Sequence, residues 1–188
     1  MSDAAKSFNR LENTLLQNRT LTLFGEINQD VARKMSERLL GLAFENDDPI
    51  TLYIGSPGGH VESGDTIFDL IQYIKPDVRI VGTGWVGSIA THIYLATDKK
   101  LRFCLPNTRF LIHQPSGGFG GDASDIEIHA QEILKTRERI NGIIAERTGQ
   151  TLKKVTEDTQ RDCWMSAEES VEYGLVGKII ANFNELPA

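Results

Sequence analysis

Residues 50–59, Ile50-Thr-Leu-Tyr-Ile-Gly-Ser-Pro-Gly-Gly59, decide the fold class. The first five are apolar or β-branched and predict a strand over Ile50–Ile54. Gly55 to Gly59 then reads as a turn, because glycine and proline supply the backbone angles that end a strand. Beyond it, Ile67, Leu70, Ile71 and Ile74 recur at helical spacing and predict a helix that stops before Pro76. The same alternation continues outward. Upstream, Thr20–Phe24 is a strand closed by Gly25, and Asn28 or Asp30 caps a helix with Val31, Met35, Leu39 and Leu42 on its apolar face. Downstream, Val78–Val81 is a strand, a helix begins at Ser88, and Leu101–Cys104 and Arg109–Ile112 are further strands. The glycine loop Ser116–Gly121 leads into a long amphipathic helix carrying Ile126, Ala130, Ile133, Leu134, Ile140 and Ile144. A short helix near Thr151–Asp158, another from Ala167 and a strand at Leu175–Ile180 close the chain. Alternating strands and helices predict an α/β fold with a largely parallel sheet.

At 188 residues, 40% hydrophobic and 24% charged, the chain has the size and composition of one globular domain spanning 1–188. A net charge of -6 without any Lys/Arg cluster argues against nucleic acid or an anionic membrane as partner. No apolar run approaches the ~20 residues of a membrane helix. Met1 to Leu11 is polar and lacks a signal core, so the expected localisation is cytoplasmic. Cys104 and Cys163 stand in no metal-like spacing and read as idle thiols of a reducing compartment.

Two glycine-rich stretches invite functional readings. Gly82-Thr-Gly-Trp-Val-Gly87 satisfies a dinucleotide-binding pattern. Its place in mid-chain and the Leu-Pro that follows its next strand, where an acid for a ribose is required, argue against that use. Ser56-Pro-Gly-Gly59 is either a plain tight turn or a loop whose amides point into a site, as an oxyanion hole requires. A polyanion-binding loop would need a lysine that does not follow.

Ser88, after Gly87 at a helix start, is either a plain N-cap or a nucleophile placed where the helix N-terminus favours developing negative charge. Four histidines are available as its base. His92 reads as packed or solvent-facing, His129 as solvated near Glu132, and His60 as lying at the edge of a site. His113 ends an apolar strand before Gln114-Pro115, where strand ends present chemistry. Asp162, between two predicted helices, is either a cap or the group that orients the base. Local reasoning ends at a possible triad.

Taken together and in order, Leu52–Gly59, Ile74-Lys-Pro-Asp77, Arg102–Asn107, Ile112-His-Gln-Pro115, Asp125–Ala130 and Val171–Val176 resemble the Clp protease proteolytic subunit (ClpP) family. The likeness runs from about residue 48 to 180. It implies a ClpP/crotonase fold of stacked ββα units with a protruding handle over 114–147, and an N-terminal segment over 1–18. It also implies a serine endopeptidase with Ser88 as nucleophile, His113 as base and Asp162 as orienting acid, the separations of 25 and 49 residues fitting without a gap. Gly58 and Ile89 match the family's two oxyanion-hole amides. No metal or cofactor is implied. The implied partners are further copies in a tetradecamer of two stacked heptameric rings, or a paralogous subunit in a mixed ring, together with an AAA+ unfoldase ATPase and unfolded polypeptide substrates.

Several positions depart from the family's usual residues. Gly87, Ile89 and Ala90 surround Ser88, Trp85 stands where glutamine is common, and His60 and Glu62 follow the glycine pair. Thr51 and Thr83 occupy positions where larger apolar residues build an ATPase docking groove, and the N-terminus is polar where the family's axial segment is apolar. Two other readings are a catalytically weak ring-building subunit and a crotonase-type acyl-CoA enzyme, which needs the paired amides but no serine, histidine and aspartate set.

Overall fold

The computed structural model describes residues 3–118 and 120–187. Its elements are α1 (Asp3–Gln17), β1 (Thr20–Phe24), α2 (Gln29–Glu45), β2 (Ile50–Ser56), α3 (Val61–Tyr73), β3 (Val78–Gly87) and α4 (Ile89–Tyr94), followed by β4 (Arg102–Cys104), β5 (Arg109–Ile112), α5 (Ala123–Thr148), α6 (Leu152–Asp158), β6 (Cys163–Met165), α7 (Ala167–Tyr173) and β7 (Lys178–Ile179). The sheet runs β1-β2-β3-β4-β7, and β5 joins it through β3 and carries β6 on its other edge. Every pairing is parallel except β5 with β6. The α/β reading therefore holds.

Leu21 and Leu23 of β1 and Ile50, Leu52 and Ile54 of β2 alternate onto one sheet face. There they join Met35, Leu39 and Leu42 of α2, Ile67 and Ile71 of α3, and the buried α4 in one core. Asn28 caps α2 by accepting a bond from the Val31 amide. The opposite face holds a smaller cluster of Val81, Phe103 and Ile180.

Long β3 positions the site. Its Ile80–Gly82 portion pairs with β4, and its Trp85–Gly87 end pairs with β5. The strand predicted over Val78–Val81 thus continues through Gly82–Gly87, which forms no phosphate-cradling turn. Gly82 is a close-packing position, since a Cβ there would lie 3.2 Å from the Phe110 ring. The dinucleotide pattern is coincidence.

Four further differences have local causes. The polar segment before residue 18 forms helix α1, with Leu16 packed on the core and Glu12 ion-paired to Arg38 of α2. Asp162 precedes a strand that three residues are too few to announce. The last strand shrinks to Lys178–Ile179 because Leu175 and Val176 are buried in the turn after α7. On α5, only Ile140, Asn141 and Ile144 are buried, whereas Ile126 and Leu134 of the predicted apolar face are 48% and 54% exposed.

Candidate active site

Ser88 joins β3 to α4 with φ at +55°, a region that non-glycine residues enter at a cost. Its neighbours enforce the turn. The Ser88 amide donates to Leu111 O at 2.9 Å, and its carbonyl accepts from the Thr91 amide at 3.0 Å. The Thr91 hydroxyl lies 2.9 Å from Val86 O and 3.0 Å from Leu111 O, pinning α4 to both strands. The Ser88 side chain makes no capping bond, so its hydroxyl does not serve the helix.

His113 follows β5 directly, and β5 is the strand paired with the end of β3. Its Nδ1 lies 3.2 Å from Asp162 Oδ1. Its Nε2 is buried and has no hydrogen-bond partner among the described residues. A carboxylate beside Nδ1 favours the tautomer with the proton there, leaving Nε2 as an acceptor. The Asp162 side chain is 63% exposed, so the pair orients the ring more than it stabilises the fold. Ser88 and His113 line one small cavity of about 20 Å³ together with Ile89, His92, Val61 and Ile140.

Gly58 is pressed against the serine. At φ +100°, a Cβ on it would come within 2.7 Å of Ser88 Cβ and 3.2 Å of the Ile89 nitrogen. The Gly58 carbonyl accepts from the Ile27 amide at 2.8 Å, and the His60 amide returns a bond to Ile27 O at 2.8 Å. The two candidate amides are therefore neighbours. That of Ile89 opens α4 and has no acceptor within the helix. That of Gly58 donates to the buried Ser56 Oγ at 3.1 Å, a contact sequence reasoning missed.

The other histidines take different places. His60 sits at the start of α3, with Nδ1 2.9 Å from Ser63 Oγ and Nε2 3.2 Å from Glu62 Oε2. His129 lies on the exposed part of α5. His92 is buried, stacked on Phe68 at 4.2 Å, with Nε2 3.1 Å from Asp65 Oδ1. Arg139 of α5 grips the same carboxylate through both oxygens at 2.9 and 2.6 Å. Burial raises the Asp65 pKa, but the His92 ring beside it and the two bonds from Arg139 outweigh that and bring the value down to about 2. This network, unannounced by any motif, backs the cavity. Both cysteines are free, and burial pushes Cys104 up to about 12, which keeps that thiol protonated.

The geometry has close counterparts among known proteins. The sequence profile of the Clp protease family matches residues 3–183. An ATP-dependent Clp protease proteolytic subunit 3 from Rhizobium johnstonii is 54% identical over 171 residues, which are 91% of this chain and 88% of that one. A proteolytic subunit 2 from Pseudomonas aeruginosa is 50% identical over 171 residues, 91% of this chain and 85% of its own length. The structure of ClpP1 from Listeria monocytogenes superposes with a TM-score of 0.86 at 49% identity, covering 94% of this chain and 99% of that one. A mutant of the same ClpP1 gives a TM-score of 0.88 at 51% identity over the same shares.

Proposed function

The chain belongs to the Clp protease family, and from that premise we propose that it is an ATP-dependent Clp proteolytic subunit acting as a serine endopeptidase on unfolded polypeptide. The observation that carries this reading is the pose of His113. One ring nitrogen faces the Asp162 carboxylate at 3.2 Å, and the other is buried and unpartnered in the cavity that Ser88 lines.

Ser88 Oγ attacks the carbonyl carbon of the scissile bond while His113 Nε2 takes the hydroxyl proton. Asp162 holds the proton on Nδ1 and stabilises the imidazolium. The tetrahedral oxyanion lies against the amides of Ile89 and Gly58, the latter exchanging Ser56 Oγ for the developing charge. His113 then protonates the leaving amine, and water repeats the sequence on the acyl-enzyme. Each such amide contributes about 3–4 kcal/mol to the transition state. Side chains and amides alone carry these steps, and the crotonase-type reading leaves the serine, histidine and aspartate set without a task.

The same reading places the chain in the cytoplasm, in stacked heptameric rings fed by an AAA+ unfoldase, as a homo-oligomer or beside a paralogue. Among the described residues no helix is long and apolar enough to cross a membrane. Labelling the assembled protein with a fluorophosphonate and mapping the adduct tests the chemistry. A single adduct at Ser88, absent in Ser88→Ala and strongly slowed in His113→Ala, is expected. An intact ring that takes no label would instead identify a ring-building subunit.

A further inference from the structure

The chain contains two tryptophans, and they stack on each other. Trp85 and Trp164 lie with ring centroids 5.6 Å apart and planes 7° from parallel, and the Arg109 guanidinium carbon stands 4.5 Å from the Trp164 ring centroid. Both rings are partly exposed, at 40% and 37%, so burial alone does not explain them. Their positions along the chain are informative. Trp85 is on β3, three residues before Ser88. Arg109 is on β5, four before His113, and Trp164 is on β6, two after Asp162.

Each member of the stack therefore stands on one of the three strands that deliver the candidate catalytic groups. Those strands are held together thinly. The end of β3 meets β5 through three register pairs, and β5 meets β6 through three. The stack crosses both junctions. Asp162 depends most on it, because its exposed carboxylate has His113 as its sole ion-pair partner among the described residues. On the N-terminal side, Gln114 fastens the approach to Asp162 by bonds to Thr159 O and Gln160 O at 2.7 and 3.0 Å. On the C-terminal side, Cys163 and Met165 of β6 pack on the core, and Trp164 adds the stack on the other face of the strand.

We propose that Trp85, Arg109 and Trp164 form a brace that sets the three strand ends in register and thereby holds Asp162 against His113. This rests on the serine-peptidase reading above. The members of the brace are positioning residues, since none lines the cavity beside Ser88. The brace must then act on kcat more than on KM.

The test compares wild type, Trp164→Ala, Trp164→Phe, Trp85→Ala and Ser88→Ala as sized assemblies on a fluorogenic peptide. Wild type should show an exciton couplet between the two indoles in circular dichroism. Trp164→Ala should lose about 10- to 100-fold in kcat with KM held within about a factor of two, and Trp164→Phe should restore most of the loss. Trp85→Ala leaves β6 untouched and should reproduce the defect, so it gives the same reading should Trp164→Ala fail to fold. Wild-type kcat in either alanine variant, no couplet in wild type, or no rescue by phenylalanine overturns the brace. Turnover surviving in Ser88→Ala overturns the peptidase reading itself, a result distinct from all of these.

Discussion

Gly58 shows how little room the site leaves at the level of one atom. A methyl group there meets Ser88 Cβ at 2.7 Å and Gly87 O at 2.8 Å, and the backbone sits at φ +100°. An L-residue pays about 1–2 kcal/mol for that conformation before any clash is counted. Gly58→Ala should therefore lower stability by about 1–3 kcal/mol in urea titrations and remove nearly all peptide turnover, because the contact displaces the candidate nucleophile itself. Wild-type turnover in a folded Gly58→Ala protein would exclude the close packing described. The sequence marks this residue only halfway. Ser56-Pro-Gly-Gly59 announces a turn, but the turn's contact with Ser88 spans 30 positions and is set by the β2–β3 pairing, whose register shifts between Ile54 and Ser56. Ser88, His113 and Asp162 were likewise legible as candidates by residue type and by resemblance. Their meeting was not, because it depends on β5 leaving β3 to carry a strand that the sequence does not announce.

Three helices converge behind the cavity, and one carboxylate ties them. Asp65 of α3 faces His92 of α4 and Arg139 of α5, so it links the helix after the Gly58 turn to the helix after Ser88 and to the inner end of α5. Its pKa in the folded chain, about 2, lies below its ordinary value of 3.8. The corresponding stability is complete above the ordinary value and is lost as pH falls through the folded one. Asp65→Asn should thus melt below wild type at neutral pH, and the gap should close as both are acidified toward pH ~2. Thermal unfolding across that range checks it, and a gap independent of pH would mean that the carboxylate's charge is not what matters. The sequence carries a faint signal for this tie, short of a motif. Asp65 falls between Val61 and Phe68 at helical spacing, an acid on an otherwise apolar face. The elements with clear periodicity, α2, α3, β1 and β2, were legible. α1 was hidden by its polar composition, and β6 by its length.

The largest mismatch between the chain and its own fold is α5. Of 26 residues it buries three, and Ile126 and Leu134, eight apart on one stripe, lie exposed. A chain with net charge -6 does not gain by showing such a stripe to water. That exposure fits a helix covered by another subunit, as the proposed stacking of two rings requires. The energetics make the assembly sensitive. Burying one such side chain contributes about 1.5–3 kcal/mol, and in the proposed ring of seven every loss would be repeated seven times. Replacing Ile126 and Leu134 together by aspartate adds charge repulsion to that loss, yet leaves the core at Ile140 and Ile144 intact. Sedimentation velocity should show the doubly substituted protein at half the mass of the wild-type assembly or less, with monomer folding preserved by circular dichroism. If wild type sediments as a lone monomer, or if the double substitution leaves the mass of the assembly unchanged, α5 is not the surface through which the rings meet.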